Sequence, residues 1–235
     1  MNLLLFDEKD ELAPGRVRVS DRRLRHAREV LRVAPGDDLA VGRLGGKLGR
    51  GRITRLDTDA LELDVSLDRE PPAPHPVRLA LALPRPPSLR KVLSQATALG
   101  VKRFLLFQSA RVEKSFWQSS ALRPDAVRAE LLLGLEQAGD TILPTVECVR
   151  SFRAFAADAL PALADGAPIF VAHPGAPPGA DFGAGAAALV VGPEGGFLER
   201  ELARLADAGS RTVGLGPRVL RVETAVVALL ARAAG

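Results

Sequence analysis

Ala188-Leu189-Val190-Val191-Gly192-Pro193-Glu194-Gly195-Gly196-Phe197 and Val213-Gly214-Leu215-Gly216-Pro217-Arg218-Val219-Leu220-Arg221-Val222-Glu223-Thr224-Ala225 decide how this chain is built. Each is an apolar, β-branched run, then a Gly-Pro turn, then an amphipathic helical pattern. Branched apolar residues suit a buried strand, and Gly and Pro suit the turn that ends it. Two strand–loop–helix corners in succession suggest a parallel sheet with a ligand held by loop backbone at the carboxyl ends of its strands.

Working back from these corners, the same alternation continues. Val77–Leu83, Val101–Phe107, Val146–Val149, Pro168–Ala172, Ala187–Val191 and Arg211–Leu215 read as strands. Between them lie helices: Ser88 to Leu99, stopped by Gly100; Asp125–Ala138; Ser151 to Ala164; Phe197–Ala208; and Val219–Ala234. Strands alternating with helices predict an α/β domain, a parallel sheet with helices on both faces. The connection 174–187 is rich in Ala, Gly and Pro.

Ahead of this region stands Glu70-Pro71-Pro72-Ala73-Pro74-His75-Pro76. Its four prolines favour a stiff extended linker, so the boundary is placed at 71–76, with domains at 1–70 and 77–235. Before the linker the pattern is mostly short strands: Asn2–Phe6, Arg16–Val19, Asp38–Val41, Arg50–Leu56 and Leu61–Val65. Turn signals at Gly36-Asp37 and Gly45-Gly46 separate them. Asp21 caps one helix, in which Leu24, Ala27, Val30 and Leu31 recur at helical spacing. A small β-barrel with one helix is expected.

Composition narrows the classes. The chain has 235 residues, 47% of them apolar, and a formal charge of +4. No apolar run is long enough to cross a bilayer, and Met1–Phe6 is too short for a signal peptide. Cys148 is the only cysteine, so no internal disulfide forms. It is expected to be buried. His26, His75 and His173 are scattered without metal-ligand spacing, so no metal is expected. A soluble, cytoplasmic protein is the expectation. Charge is uneven: residues 16–55 hold twelve Arg and Lys against four Asp and Glu. Such a block fits an anionic partner, nucleic acid first, or a solvated surface in an arginine-favouring chain.

The first corner is neither Gly-x-Gly-x-x-Gly nor a lysine phosphate loop, which argues against dinucleotide or nucleoside triphosphate binding. Its glycines let backbone approach a ligand, and helix-start N–H groups favour an electron-rich one. A tight turn with Glu194 as capping acid is the plainer alternative. In the second corner Arg218 and Arg221 share one helical face if the helix starts at Pro217. Glu223 and Thr224 put polar groups at the head of an otherwise apolar helix.

Gly-Pro-Glu-Gly-Gly-Phe, about twenty residues, then Leu-Gly-Pro-Arg-Val-Leu-Arg-Val-Glu-Thr-Ala resembles the bacterial 16S ribosomal RNA (uracil-N3)-methyltransferase family of the SPOUT class. The likeness covers most of the chain. Arg25-His26-Ala27-Arg28-Glu29-Val30-Leu31-Arg32 is similar to a signature of the family's PUA-like RNA-binding barrel. Thr97-Ala98-Leu99-Gly100-Val101 resembles its Thr-Glu-Leu-Gly-Val, and Glu136-Gln137 its Glu-Gln pair. Two departures stand out: Ala98 replaces a Glu, and Ala138-Gly139-Asp140-Thr141 replaces a stretch that commonly carries Arg. Both are expected on the RNA-facing side.

The resemblance implies a trefoil knot in the C-terminal domain, a homodimer with its active site near the subunit interface, and S-adenosyl-L-methionine as cofactor. It places that cofactor on His173, on Gly192, Pro193, Glu194, Gly195 and Gly196, and on Leu215, Gly216, Pro217 and Leu220. It implies methylation of N3 of a uridine in 16S ribosomal RNA, free or in the small ribosomal subunit, at position 1498. Arg218 and Arg221 are candidates to stabilise the deprotonated uracil, with Glu223 and Glu194 as candidate bases. Arg22, Arg23, Arg25, Arg28 and Arg32 fall within eleven positions, about half of them expected to meet phosphate, and Arg22, Arg23, Arg25 and Arg28 are the candidate RNA contacts. Phe116 and Trp117 either stack on a splayed base or belong to a core or interface. A non-catalytic RNA-binding protein on the same scaffold is the alternative.

Overall fold

Leu3-Leu4-Leu5-Phe6 is an unbroken apolar run, and all four side chains are buried. Leu4 and Phe6 join one apolar cluster with Val17, Val41, Ile53 and Leu63. Leu3 and Leu5 join another with Leu48 and Leu135. Side chains of a strand alternate between its faces, so a strand covered on both faces needs no polar alternation. In the computed structural model, which describes residues 2–176 and 185–233, this run forms β1 (Leu4–Phe6). It belongs to a sheet with β2 (Glu11–Ala13), β3 (Arg16–Val19), β4 (Asp38–Arg43), β5 (Leu48–Leu56) and β6 (Leu61–Arg69), in the order β1-β4-β5-β6-β3-β2. Only β1 and β4 pair in parallel. The sequence pattern did not disclose β2, whose three residues are all exposed.

Asp21 caps α1 (Arg22–His26) by accepting from the Arg23 N–H. The chain then widens into a π turn over Ala27–Leu31. The extra residue per turn carries Val30 and Leu31 off the buried face. Leu24 and Ala27 are buried as expected, whereas Val30 is 64% exposed and Leu31 41%.

Chain contacts divide the protein into two units, 1–73 with 132–143, and 74–131 with 144–235. Leu132–Leu143, read from sequence with the C-terminal domain, therefore groups with the N-terminal sheet. Its hold there is explicit. The Asn2 and Leu3 N–H groups both donate to the Glu136 carbonyl at 3.1 Å. The Gly45 N–H donates to the Thr141 carbonyl at 2.8 Å, and the Thr141 hydroxyl donates to the Gly46 carbonyl.

The second unit is built on β7 (Val77–Ala82), β8 (Arg103–Phe107), β9 (Thr145–Val149), β10 (Ile169–Ala172), β11 (Ala187–Val191) and β12 (Arg211–Val213). All pairs are parallel, in the order β12-β10-β11-β7-β8-β9. Every residue of β11 is buried, as a sheet covered on both faces requires. Its helices are α2 (Pro86–Ala98), α4 (Phe152–Ala154), α5 (Leu160–Ala164), α6 (Glu199–Asp207) and α7 (Val222–Ala233), with the part of α3 (Pro124–Ala138) that precedes Leu132. A π turn at Phe155–Ala159 joins α4 to α5.

Several ends differ from expectation. Two prolines, whose missing N–H groups cost nothing in a first turn, start α2 at Pro86. Ser88 is thus inside that helix rather than its cap. Gly100, at φ +91°, ends it as expected. α6 starts at Glu199, after a loop, and α7 starts at Val222. Arg218 and Arg221 consequently lie in a loop and share no helical face. Cys148 is exposed, on the edge strand β9. Residue 234 and part of the 174–187 connection lie outside the described residues.

Candidate active site

β12, β10 and β11 are neighbours and parallel, so their carboxyl ends open on the same side. The chain leaving each is one of the segments singled out from sequence: His173 after β10, Gly192 after β11, Gly214 after β12. Between them lies a cavity of about 330 Å³, the size range of small-molecule sites. Its wall contains His173, Gly192, Pro193, Glu194, Gly195, Gly196, Leu215, Gly216 and Leu220. Pro217 is the one candidate cofactor residue outside it. Arg218 joins the same wall.

The glycines are there for space. A Cβ on Gly214 would stand 2.1 Å from the Ala176 carbonyl oxygen. On Gly192 it would meet the Phe197 ring at 3.0 Å, and on Gly195 the Arg111 side chain at 3.1 Å. Gly196 and Gly216 adopt φ of +72° and +102°, a region costly for other residues. The His173 N–H donates to the Val213 carbonyl at 3.0 Å and ties the β10 loop to β12.

Two supports were invisible in the sequence. Arg111, in the loop after β8, lines the cavity and donates to the Gly195 carbonyl. Glu201, 4% exposed, accepts from the Ala110 N–H at 2.8 Å and the Leu198 N–H at 2.9 Å. One buried carboxylate thus holds the Arg111 loop and the start of α6 together. Phe197, in the cavity wall, packs into an aromatic cluster: its ring lies 6.3 Å from that of Phe107, which stacks on Phe155 at 3.6 Å.

The three candidate catalytic residues separate. Arg218 faces the first cavity, whereas Arg221 and Glu223 line a second, of about 490 Å³, with Arg85, Ser88, Lys91 and Phe116. Glu194 and Val222 border both cavities. Glu194 accepts from the Arg85 backbone N–H at 3.1 Å instead of capping its own helix. Glu223 is buried, with Lys91 Nζ at 3.4 Å. Its own backbone N–H, then the Ser88 hydroxyl and the Lys91 ammonium, hold its carboxyl below the usual range against the opposing effect of burial. Trp117 is buried and donates to Gln108, with the Arg150 guanidinium 5.3 Å above its ring. Phe116, half-buried, lines the second cavity.

In the N-terminal unit the arginines also divide. Arg22 makes a bidentate pair with the buried Glu136, at 2.6 and 2.9 Å. Arg23 bridges Asp10 and Asp21 and donates to the Leu5 carbonyl. Burial opposes its charge, but the two carboxylates push its pKa above the usual range. Among the described residues, Arg25 and Arg28 are exposed and make no ion pair. The His26 Nε2 is buried without a hydrogen-bond partner. Asp140, expected on an RNA-facing surface, is 1% exposed and accepts from the Ile142 N–H within its turn.

Comparison with known proteins agrees with this architecture. Residues 71–234 match a family model described as an RNA methyltransferase domain. Ribosomal RNA small subunit methyltransferase E of Treponema pallidum is 31% identical, over 98% of this chain and 90% of its own. The Mycobacterium bovis protein of the same name is 34% identical, over 87% of this chain and 80% of its own. The crystal structure of ribosomal RNA small subunit methyltransferase E from Neisseria gonorrhoeae, bound to S-adenosyl methionine, superposes with a TM-score of 0.74 at 25% identity. It covers 97% of this chain and 95% of that one.

Proposed function

We propose, from the premise that this chain belongs to the RNA methyltransferase family, that it methylates N3 of a uridine in 16S ribosomal RNA with S-adenosyl-L-methionine as donor. One observation carries the reading: three adjacent strand-end loops enclose a glycine-lined cavity that borders a second, cation-lined one through Glu194 and Val222. The names of the relatives and the cofactor in the gonococcal structure point the same way.

The first cavity suits the cofactor. Val191, Val213, Leu220 and Leu229 give apolar walls for a purine ring. Glycine backbone approaches closely where a Cβ would collide, and Arg218 offers a cation to a carboxylate. When bound, the cofactor supplies a methyl group on a sulfonium, the S–CH3 bond breaking as an N–CH3 bond forms. The chain's own contribution is position and charge. N3 of uracil must lose its proton before the nitrogen attacks well. Arg221 is placed to stabilise the resulting negative charge, and Glu194 and Glu223 are the nearby carboxylates.

RNA affinity is assigned to the exposed Arg25 and Arg28 of a PUA-like N-terminal unit, with Arg22 and Arg23 serving the fold. Val219 and Leu220, 83% and 37% exposed beside the cofactor cavity, are read as a surface covered by a second subunit of a homodimer. The knotted path of the SPOUT class and a cytoplasmic location belong to the same reading. No helix among the described residues is long and apolar enough to cross a membrane. The test is direct. Purified protein, labelled S-adenosyl-L-methionine and either 16S ribosomal RNA or small subunits should yield N3-methyluridine. Absence of transfer to both would overturn the reading.

A further inference from the structure

Resting on that reading, we infer that the target uridine is flipped into the second cavity, stacked on Phe116, and passes its N3 proton to Glu194. The cavity of about 490 Å³ is large enough for one nucleotide base. Phe116 is the one aromatic ring in its wall, only half-buried, and free of the role that locks Trp117 in place. Enzymes acting on a base commonly take it out of the stack and sandwich it against such a ring. Arg221 and Lys91 add cations to the wall, and Lys91 also offsets Glu223.

Glu194 is singled out by position. A methyl donor in one cavity and an acceptor in the other must meet at their common border, and that border consists of Glu194 and Val222. Val222 has no proton acceptor. Glu223 lies on the nucleotide side alone, buried and bonded to Lys91. One Glu194 oxygen is fixed by the Arg85 N–H, which leaves the other to take the proton. The balance is complete: the N3–H bond breaks and Glu194 gains the proton. The N3 lone pair forms the N–CH3 bond, the S–CH3 pair stays on sulfur as a neutral thioether, and Glu194 later releases its proton to water.

The experiment uses full-length protein and two probes: S-adenosylhomocysteine by calorimetry and a fluorescent single-stranded RNA carrying one uridine in the substrate sequence. Phe116→Ala and the volume-conserving Phe116→Leu should each weaken RNA binding about tenfold, the scale of one stacked base. Cofactor affinity should stay within about twofold, since Phe116 lies outside that wall. Phe116→Tyr should restore RNA binding. Glu194→Gln keeps an acceptor for the Arg85 N–H but removes the base, so its rate should fall about a hundredfold at neutral pH. That defect should shrink as pH rises and hydroxide replaces the carboxylate. If wild type methylates but Phe116→Leu binds RNA normally, or the Glu194→Gln defect is independent of pH, the cavity assignment is wrong and the proposed function survives. If wild type transfers no methyl group, both fall.

Discussion

Gly214→Ala is the substitution whose cost the structure states most directly. The added methyl would sit 2.1 Å from the Ala176 carbonyl oxygen and 2.9 Å from its carbonyl carbon. Ordinary carbon–oxygen contacts lie near ~3.3 Å, so about 1 Å of backbone separation is required. Neither side is free to give. The His173 N–H is bonded to the Val213 carbonyl at 3.0 Å, and the Ala176 N–H to the His173 carbonyl at 3.2 Å. Overpacking of this kind costs about 1–3 kcal/mol. Because each ~1.4 kcal/mol is a factor of ten, S-adenosylmethionine should bind roughly 5- to 150-fold more weakly. Gly46→Ala, outside the cavity wall, is the control. Its methyl meets only Arg43, at an ordinary 3.5 Å, so cofactor affinity should stay within about twofold. Calorimetric titration of both variants measures the contrast, with thermal unfolding to show that each is folded. Wild-type affinity in Gly214→Ala would refute the claim that the β10 and β12 loops form one wall of the cofactor site.

Arg218→Ala should weaken cofactor binding about tenfold or more, the worth of a charged hydrogen bond. Arg221→Ala should leave that affinity intact and lower single-turnover rate about a hundredfold; equal effects in both assays would show that the arginines are not divided between two cavities. Arg22→Ala strands the buried Glu136 carboxylate and should cost ~1–3 kcal/mol in denaturant unfolding, discounted because Arg22 itself is half-exposed. Arg25→Ala should leave stability within about 0.5 kcal/mol and reduce the salt slope of RNA binding by about one. His75 accepts the Val77 N–H at Nδ1, and its Nε2 faces the Leu230 carbonyl, so the neutral ring protonated at Nε2 fits both. Burial lowers its pKa, the Leu230 carbonyl only partly opposing. A depressed histidine gives full stability above its unfolded pKa of about 6.5 and loses it as pH falls from there toward the folded value. Unfolding of His75→Gln between pH 7 and 5 should therefore be less acid-sensitive than that of wild type.

How much was legible follows from what local sequence records. The glycine corners announced themselves because close backbone approach and positive φ leave few residue choices, as Gly214 and Gly216 show. The strands of the second unit were visible as short apolar runs between breakers, but no local pattern reveals that β10 lies between β12 and β11. That order is what joins His173, Gly192 and Leu215 into one wall. The head of α7 was misplaced because Pro217 looks like a helix start, while Gly216 at φ +102° and the following loop delay the helix to Val222. Four arginines in a row of charge looked alike, and only their partners, Glu136 and Asp10, distinguish fold from surface. Arg111 and Glu201 carry no motif at all. Their roles come from loops that meet in space, which is also why the Phe116 cavity could not be read from the chain.

This chain is expected to place one methyl group on N3 of one uridine in 16S ribosomal RNA. Mass-spectrometric mapping of that RNA from a strain lacking the gene measures it directly. The expected map loses a single N3-methyluridine, regained when wild-type protein is supplied and not when Arg221→Ala is supplied. An unchanged map, with every N3-methyluridine still present, would show that this chain does not make that modification.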